Sequence, residues 1–104
     1  LRDDLLAVQD GLDRLRLALL DLAADHAFTL MPASGEGRPL QATSLAHWLG
    51  GAIGPLGRAT GRVRLAFAEA NRSPMGAGAL ASSGLRVDRE AVADLLGFDG
   101  PVPN

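Results

Sequence analysis

The sequence predicts an all-α fold built from long antiparallel helices of a bundle, completed by other chain segments or by other subunits. Three observations carry this reading. Leu1, Leu5, Val8, Leu12, Leu15, Leu19 and Leu22 recur at spacings of 4, 3, 4, 3, 4 and 3, the seam of a helix packed lengthwise against another. Leu45, Leu49, Ala52, Leu56, Ala59, Val63, Ala66 and Ala70 repeat the pattern further along. Finally, each helix is about 38 Å long if it spans about 25 residues. Two such rods cannot enclose both of their broad apolar faces.

Taken in order, the first helix covers about residues 1–26. Leu6, Leu17 and Leu20 widen its apolar face, and Asp3 and Asp4 suit the positive end of its dipole. Residues 27–42 read as a loop, rich in Gly, Ser and Pro between Ala33 and Pro39. Thr43 or Ser44 can cap a second helix, about 43–70, which Asn71 ends. Trp48 belongs to its core or to an interface. Gly50, Gly54, Gly57 and Gly61 form a row beside its seam, suited to close approach by a neighbouring helix. Gly and Pro oppose a helix interior by about 1 and 3 kcal/mol per residue. Because the apolar seam keeps phase across Pro55, a helix kinked near 55 is expected rather than two short ones. Residues 71–87 read as a Gly-rich loop. Asp88 caps a short helix, 88–96, that Gly97 ends, and 97–104 is an extended tail. The whole is a single helical domain or fragment, 1–104.

Composition narrows the chemistry. The net charge is −2 and 47% of residues are hydrophobic, so no bulk field draws the chain to nucleic acid. Arg58, Arg62 and Arg64 read as a solvated face or as partners of acids on a neighbour. There is no cysteine, and all 10 basic residues are arginine. Thiolate catalysis, Cys-ligated zinc and Schiff-base lysine chemistry are therefore closed to these residues. His26 and His47 cannot build a multi-histidine metal site and read as structural. No apolar run approaches the roughly 20 residues of a membrane span, and Leu1-Arg2-Asp3-Asp4 is unlike a signal peptide. A cytoplasmic location is the default. The missing initiator methionine fits a piece of something longer, and the Arg-, Ala- and Gly-rich composition fits a GC-rich bacterial genome.

The most specific string is Asn71-Arg72-Ser73-Pro74-Met75-Gly76-Ala77-Gly78-Ala79-Leu80-Ala81. It resembles the N-x-S-P-L-G-x-G-A-L-A stretch of argininosuccinate lyases. Asp88-Arg89-Glu90, Leu95-Leu96-Gly97-Phe98, and Pro101 with Asn104 follow in that family's order, as D-R-E, L-L-G-F and P-x-x-N. Upstream, His26 with Met31-Pro32 is similar to H-A-D-T-I-M-P, and Ala46-His47-Trp48 to A-H-[WHY]. The likeness spans the chain. It implies a fumarase/aspartase-like central helical domain, a homotetramer with active sites shared between subunits, and elimination of an amine from a succinyl carboxylate with release of fumarate. A small carboxylate substrate is implied, but no metal, organic cofactor, nucleic acid or membrane.

After Met-Pro the family reads G-Y-T-H-L-Q-x-A-Q-P. Aligned without gaps, its Thr becomes Gly35, its His becomes Glu36 and its first Gln becomes Arg38, while Gln41 is retained. The resemblance thus makes Glu36 the catalytic candidate, at the place of the family's histidine. Arg38, Gln41, Ser73 and Asn104 are the substrate-binding candidates. The family's S-R-N-D-Q segment and its loop with a catalytic serine and lysine lie outside the stretch that these residues match, so this segment alone is expected to be inactive. The expected function is part of a lyase with altered specificity. The alternative is a non-catalytic helical scaffold of the same ancestry.

Overall fold

The structure is a computed structural model that describes residues 1–80 and 84–103. Its elements in chain order are α1 (Arg2–Asp25), β1 (Leu30–Gly35), β2 (Arg38–Ser44), α2 (Leu45–Ala70) and α3 (Arg89–Leu95). α1 and α2 lie side by side and antiparallel. Arg2 bonds to Asn71 at one end, Asp13 meets Thr60 near the middle, and Arg16 lies over Gly57 beyond it. The result is a rod of 71 × 27 × 15 Å with a radius of gyration of 22.7 Å, against about 13 Å for a compact domain of this length.

The shape follows from how little two helices can cover. α1 has no buried residue. Leu5, Leu12 and Leu19 are half-buried against α2, whereas Leu1, Val8, Leu15 and Leu22 of the same seam are exposed. One antiparallel partner covers one ridge of an amphipathic helix and leaves the next ridge bare. The α1 seam is therefore split between two faces rather than buried as one. In α2 the seam sits closer to the contact: Leu49 is buried, and Leu56, Ala59 and Val63 are half-buried. Trp48, expected in a core or interface, is 64% exposed in this chain.

Local chemistry sets the helix ends. Ser44 Oγ accepts the His47 N–H at 3.1 Å and caps α2. The helix then runs unbroken through Pro55. Proline removes the N–H that would reach the Gly51 carbonyl, but Gly51 and Pro55 are both exposed, so water can take the freed group. Of the glycine row, only Gly57 meets α1. The Arg16 guanidinium lies 3.5 Å from where a Cβ would stand, while nothing lies within 4 Å of Gly50 or Gly61. Asp88 caps α3 through the Ala91 N–H at 3.0 Å. Gly97, at φ 66°, ends it, with Phe98 N–H bonded to Ala93 O and Gly97 N–H to Asp94 O. This is the paired closure of a left-handed C-cap.

Residues 27–42, expected as a loop, contain a β-hairpin instead. β1 and β2 pair antiparallel from Leu30↔Ser44 to Gly35↔Arg38. The two-residue turn Glu36-Gly37 has positive φ at both positions, 51° and 76°, as in a type I′ turn, whose twist matches that of the strands it joins. In a two-stranded ribbon both strands are edges, so Pro32 and Pro39 are tolerated. At the hairpin base the Leu45 N–H bonds to Thr29 O at 2.9 Å. No helix among the described residues is long and apolar enough to cross a membrane.

Candidate functional site

The sequence candidates separate into two regions at opposite ends of the rod. Glu36, Arg38 and Gln41 sit on the hairpin that precedes α2, and Ser73 lies just beyond its far end. The 26 residues of α2 hold the two regions about 39 Å apart. Within one chain they do not meet. Asn104 lies outside the described residues.

At the hairpin, the pairing slips between Ala33 and Ser34: Ala33 faces Gln41 and Ser34 faces Pro39, leaving Leu40 as the extra residue of a bulge. The Leu40 side chain folds over the turn, and its Cδ1 is 2.7 Å from where a Cβ on Gly35 would stand. Glycine at this position makes room for it. Glu36 and Arg38 are exposed and border one shallow concavity with Gly35, Pro39 and Leu40. Gln41 lines an adjoining apolar groove with Leu30, Met31 and Pro32. No ion pair or hydrogen bond engages the Glu36 or Arg38 side chain among the described residues.

At the other end Ser73 is fully buried. Its Oγ accepts the Met75 N–H at 3.3 Å. Its backbone pairs with the returning tail: Ser73 N–H to Gly100 O at 2.8 Å, and Val102 N–H to Ser73 O at 2.9 Å. A hydroxyl so enclosed shapes the turn that follows α2. The residue that sequence reasoning missed here is Arg2. Its guanidinium bonds Asn71 Oδ1 at 2.9 Å and Leu96 O at 3.1 Å, also reaches Gly97 O, and stacks 3.8 Å from the Phe98 ring centroid. A cation belongs at the carbonyl end of α3, yet nothing in the residue spacing marks Arg2 as the one that supplies it. His26 Nδ1 lies 3.1 Å from Thr29 Oγ1 where α1 leads into the base of the hairpin.

A family model described as lyase matches residues 1–104. The chain belongs to the lyase family. Argininosuccinate lyases of Halobacterium salinarum and Natronomonas pharaonis are 47% and 44% identical to it over 104 residues, covering 100% of this chain and 21% of theirs. A crystal structure of an EDDS lyase in complex with formate is 35% identical, with a TM-score of 0.92 over 99% of this chain and 21% of that one. A variant of that lyase with bound fumarate gives the same values. The chain is thus argininosuccinate-lyase-like, with the helical fold of the fumarase/aspartase superfamily, and it spans about a fifth of the length of these relatives, 21%. Both curated relatives named are archaeal, so the bacterial source expected from composition finds no support among them.

Proposed function

We propose that this chain is the central helical part of a carbon–nitrogen lyase that removes a nitrogen leaving group from a succinyl-type carboxylate, releases fumarate or a related alkene, and differs in specificity from argininosuccinate lyases. The observation that carries the reading is the likeness to argininosuccinate lyases along all 104 residues; the altered specificity rests on the motif resemblance, which sets Gly35 and Glu36 where that family has Thr and His. In such an elimination a base takes the proton from the carbon beside a carboxylate. The electron pair left behind forms the C=C bond, and the C–N bond breaks with its pair leaving on nitrogen. That chemistry needs donors on the carboxylates and a group that moves a proton. Arg38 supplies a forked donor for a carboxylate, Gln41 an amide donor beside it, and Glu36 the proton-carrying group. Ser73 holds the turn after α2.

The proposed assembly is a homotetramer in the cytoplasm. The bare ridge of α1 and the exposed face of α2 support a partner along the rod, and the distance between the hairpin and the Ser73 turn supports sites completed by more than one subunit. A second reading, a non-catalytic helical scaffold of the same ancestry, is favoured by the loss of the Thr-His pair itself. Fumarate release, followed at the ultraviolet absorbance of its double bond, decides between them. The complete lyase of which this chain is proposed to be the central part, incubated with a panel of N-substituted aspartates, is expected to release fumarate from at least one. Silence toward the whole panel by folded protein supports the scaffold.

A further inference from the structure

We propose that the polar layer formed by Gln9, Asp13 and Thr60 is an orientation device: it turns α1 so that a polar stripe, and not the helix's unbroken apolar ridge, meets α2. The proposal rests on the helix pairing alone, so its failure leaves the lyase reading untouched. Leu1, at the cap of α1, and Val8, Leu15 and Leu22 within it form a ridge of large aliphatic side chains, and all four are exposed. The stripe one residue further along the chain, about 100° around the helix, is Arg2, Gln9, Arg16 and Ala23. Arg2, Gln9 and Ala23 are half-buried, and the Arg16 guanidinium lies over Gly57. Apolar burial alone favours the opposite choice, since its free energy grows with the apolar area removed from water.

What the polar stripe offers instead is a match. Gln9 Nε2 donates to Asp13 Oδ2 at 2.8 Å, and the Thr60 hydroxyl reaches the other carboxylate oxygen, Oδ1, at 3.5 Å. Thr60 is buried on the face of α2 that meets α1. Turning α1 by one residue would carry Asp13 away and leave the Thr60 hydroxyl against aliphatic side chains. A buried polar group without a partner costs more than a neutral hydrogen bond contributes, so the layer acts mainly by penalising the wrong face. It is not built for strength: Gln9 Oε1 is buried with no hydrogen-bond partner among the described residues. Polar residues at a helix seam that fix the pairing at a cost in stability act in this way. Arg2 on Asn71 and Arg16 over Gly57 keep the same pairing on either side of the layer. The consequence is that the leucine ridge stays on the outside of the helix pair.

The test uses the full-length protein and introduced cysteine pairs, since this stretch has no cysteine of its own. Arg16→Cys with Gly57→Cys reports the observed face, and Leu15→Cys with Gly57→Cys reports the turned one. Each protein is refolded and oxidised, and disulfides within one chain are counted by mass spectrometry, with isotope-labelled copies mixed in to separate links between chains. The link between positions 16 and 57 is expected to exceed that between 15 and 57 by about tenfold or more, the scale of a hydrogen bond to a charged group. With Gln9→Leu, Asp13→Leu and Thr60→Val added, the ratio should fall toward equality while helicity is kept and Tm holds or rises. Thr60→Val alone, a smaller change that keeps the side chain's shape, should lower the ratio in the same direction and serves where the triple variant does not fold. A ratio that neither set of substitutions changes overturns the proposal, even if Tm falls, because the layer then stabilises without orienting. Equal linking of the two pairs with the layer intact overturns it as well.

Discussion

Arg2 shows how much one side chain can hold at an end of a rod. It joins the first turn of α1 to Asn71, which closes α2, and to the last carbonyls of α3, so three helices meet at one guanidinium. A lysine is a point charge without the planar fork. Arg2→Lys is therefore expected to lower Tm by a margin that corresponds to about 1–3 kcal/mol, the scale of hydrogen bonds to a charged group. An unchanged melting curve would show that the contacts are incidental. Gly76 is the other residue whose identity is dictated locally. It has φ 77°, and a Cβ there would lie 2.9 Å from Val87 Cγ1 and 3.1 Å from Arg89 Cγ. Strain and overlap together predict that Gly76→Ala costs about 2 kcal/mol, readable as a drop in Tm. Wild-type stability in that variant would contradict the placement of the loop. Glu36, Arg38 and Gln41 were singled out by their alignment with a family motif, and their roles are the proposal made above. The enclosure of Ser73 was not legible in the sequence, because it depends on residues 100–102 returning beside it, a contact that no local pattern announces.

At the scale of elements, the helices were legible and the hairpin was not. α1, α2 and α3 are written in apolar repeats and capping residues, signals that survive in a single sequence. The hairpin breaks the signals that would reveal it. Pro32 and Pro39 depress strand propensity, the Leu40 bulge interrupts the alternation, and the turn is Glu-Gly rather than the Asn-Gly that usually marks a type I′ hairpin. Two predictions belong here. Ser44→Ala removes the cap of α2 and is expected to cost about 1 kcal/mol, seen as faster amide exchange at Leu45–His47. Pro55→Ala returns an N–H to face the Gly51 carbonyl. Because both residues are exposed, it should stabilise α2, by at most about 3 kcal/mol, with a higher Tm. A lower Tm would show that Pro55 makes a contact beyond this chain that its ring, and not the helix, requires.

For the whole molecule, the central claim is that this rod is one part of a larger helical assembly. Its described core is thin: Leu49 and Ala93 are its buried hydrophobic residues. Meanwhile Leu6, Val8, Leu15 and Leu17 stand 49–59% exposed along α1. The sequence announced two apolar ridges but not which of them the other helix would take, since that depends on how many partners surround each helix. Light scattering coupled to size-exclusion chromatography of the 104-residue chain tests the claim most directly. The account predicts an assembly whose mass is a multiple of 10.8 kDa. A lone 10.8 kDa particle with a radius of gyration near 13 Å, that of a compact domain, would contradict it.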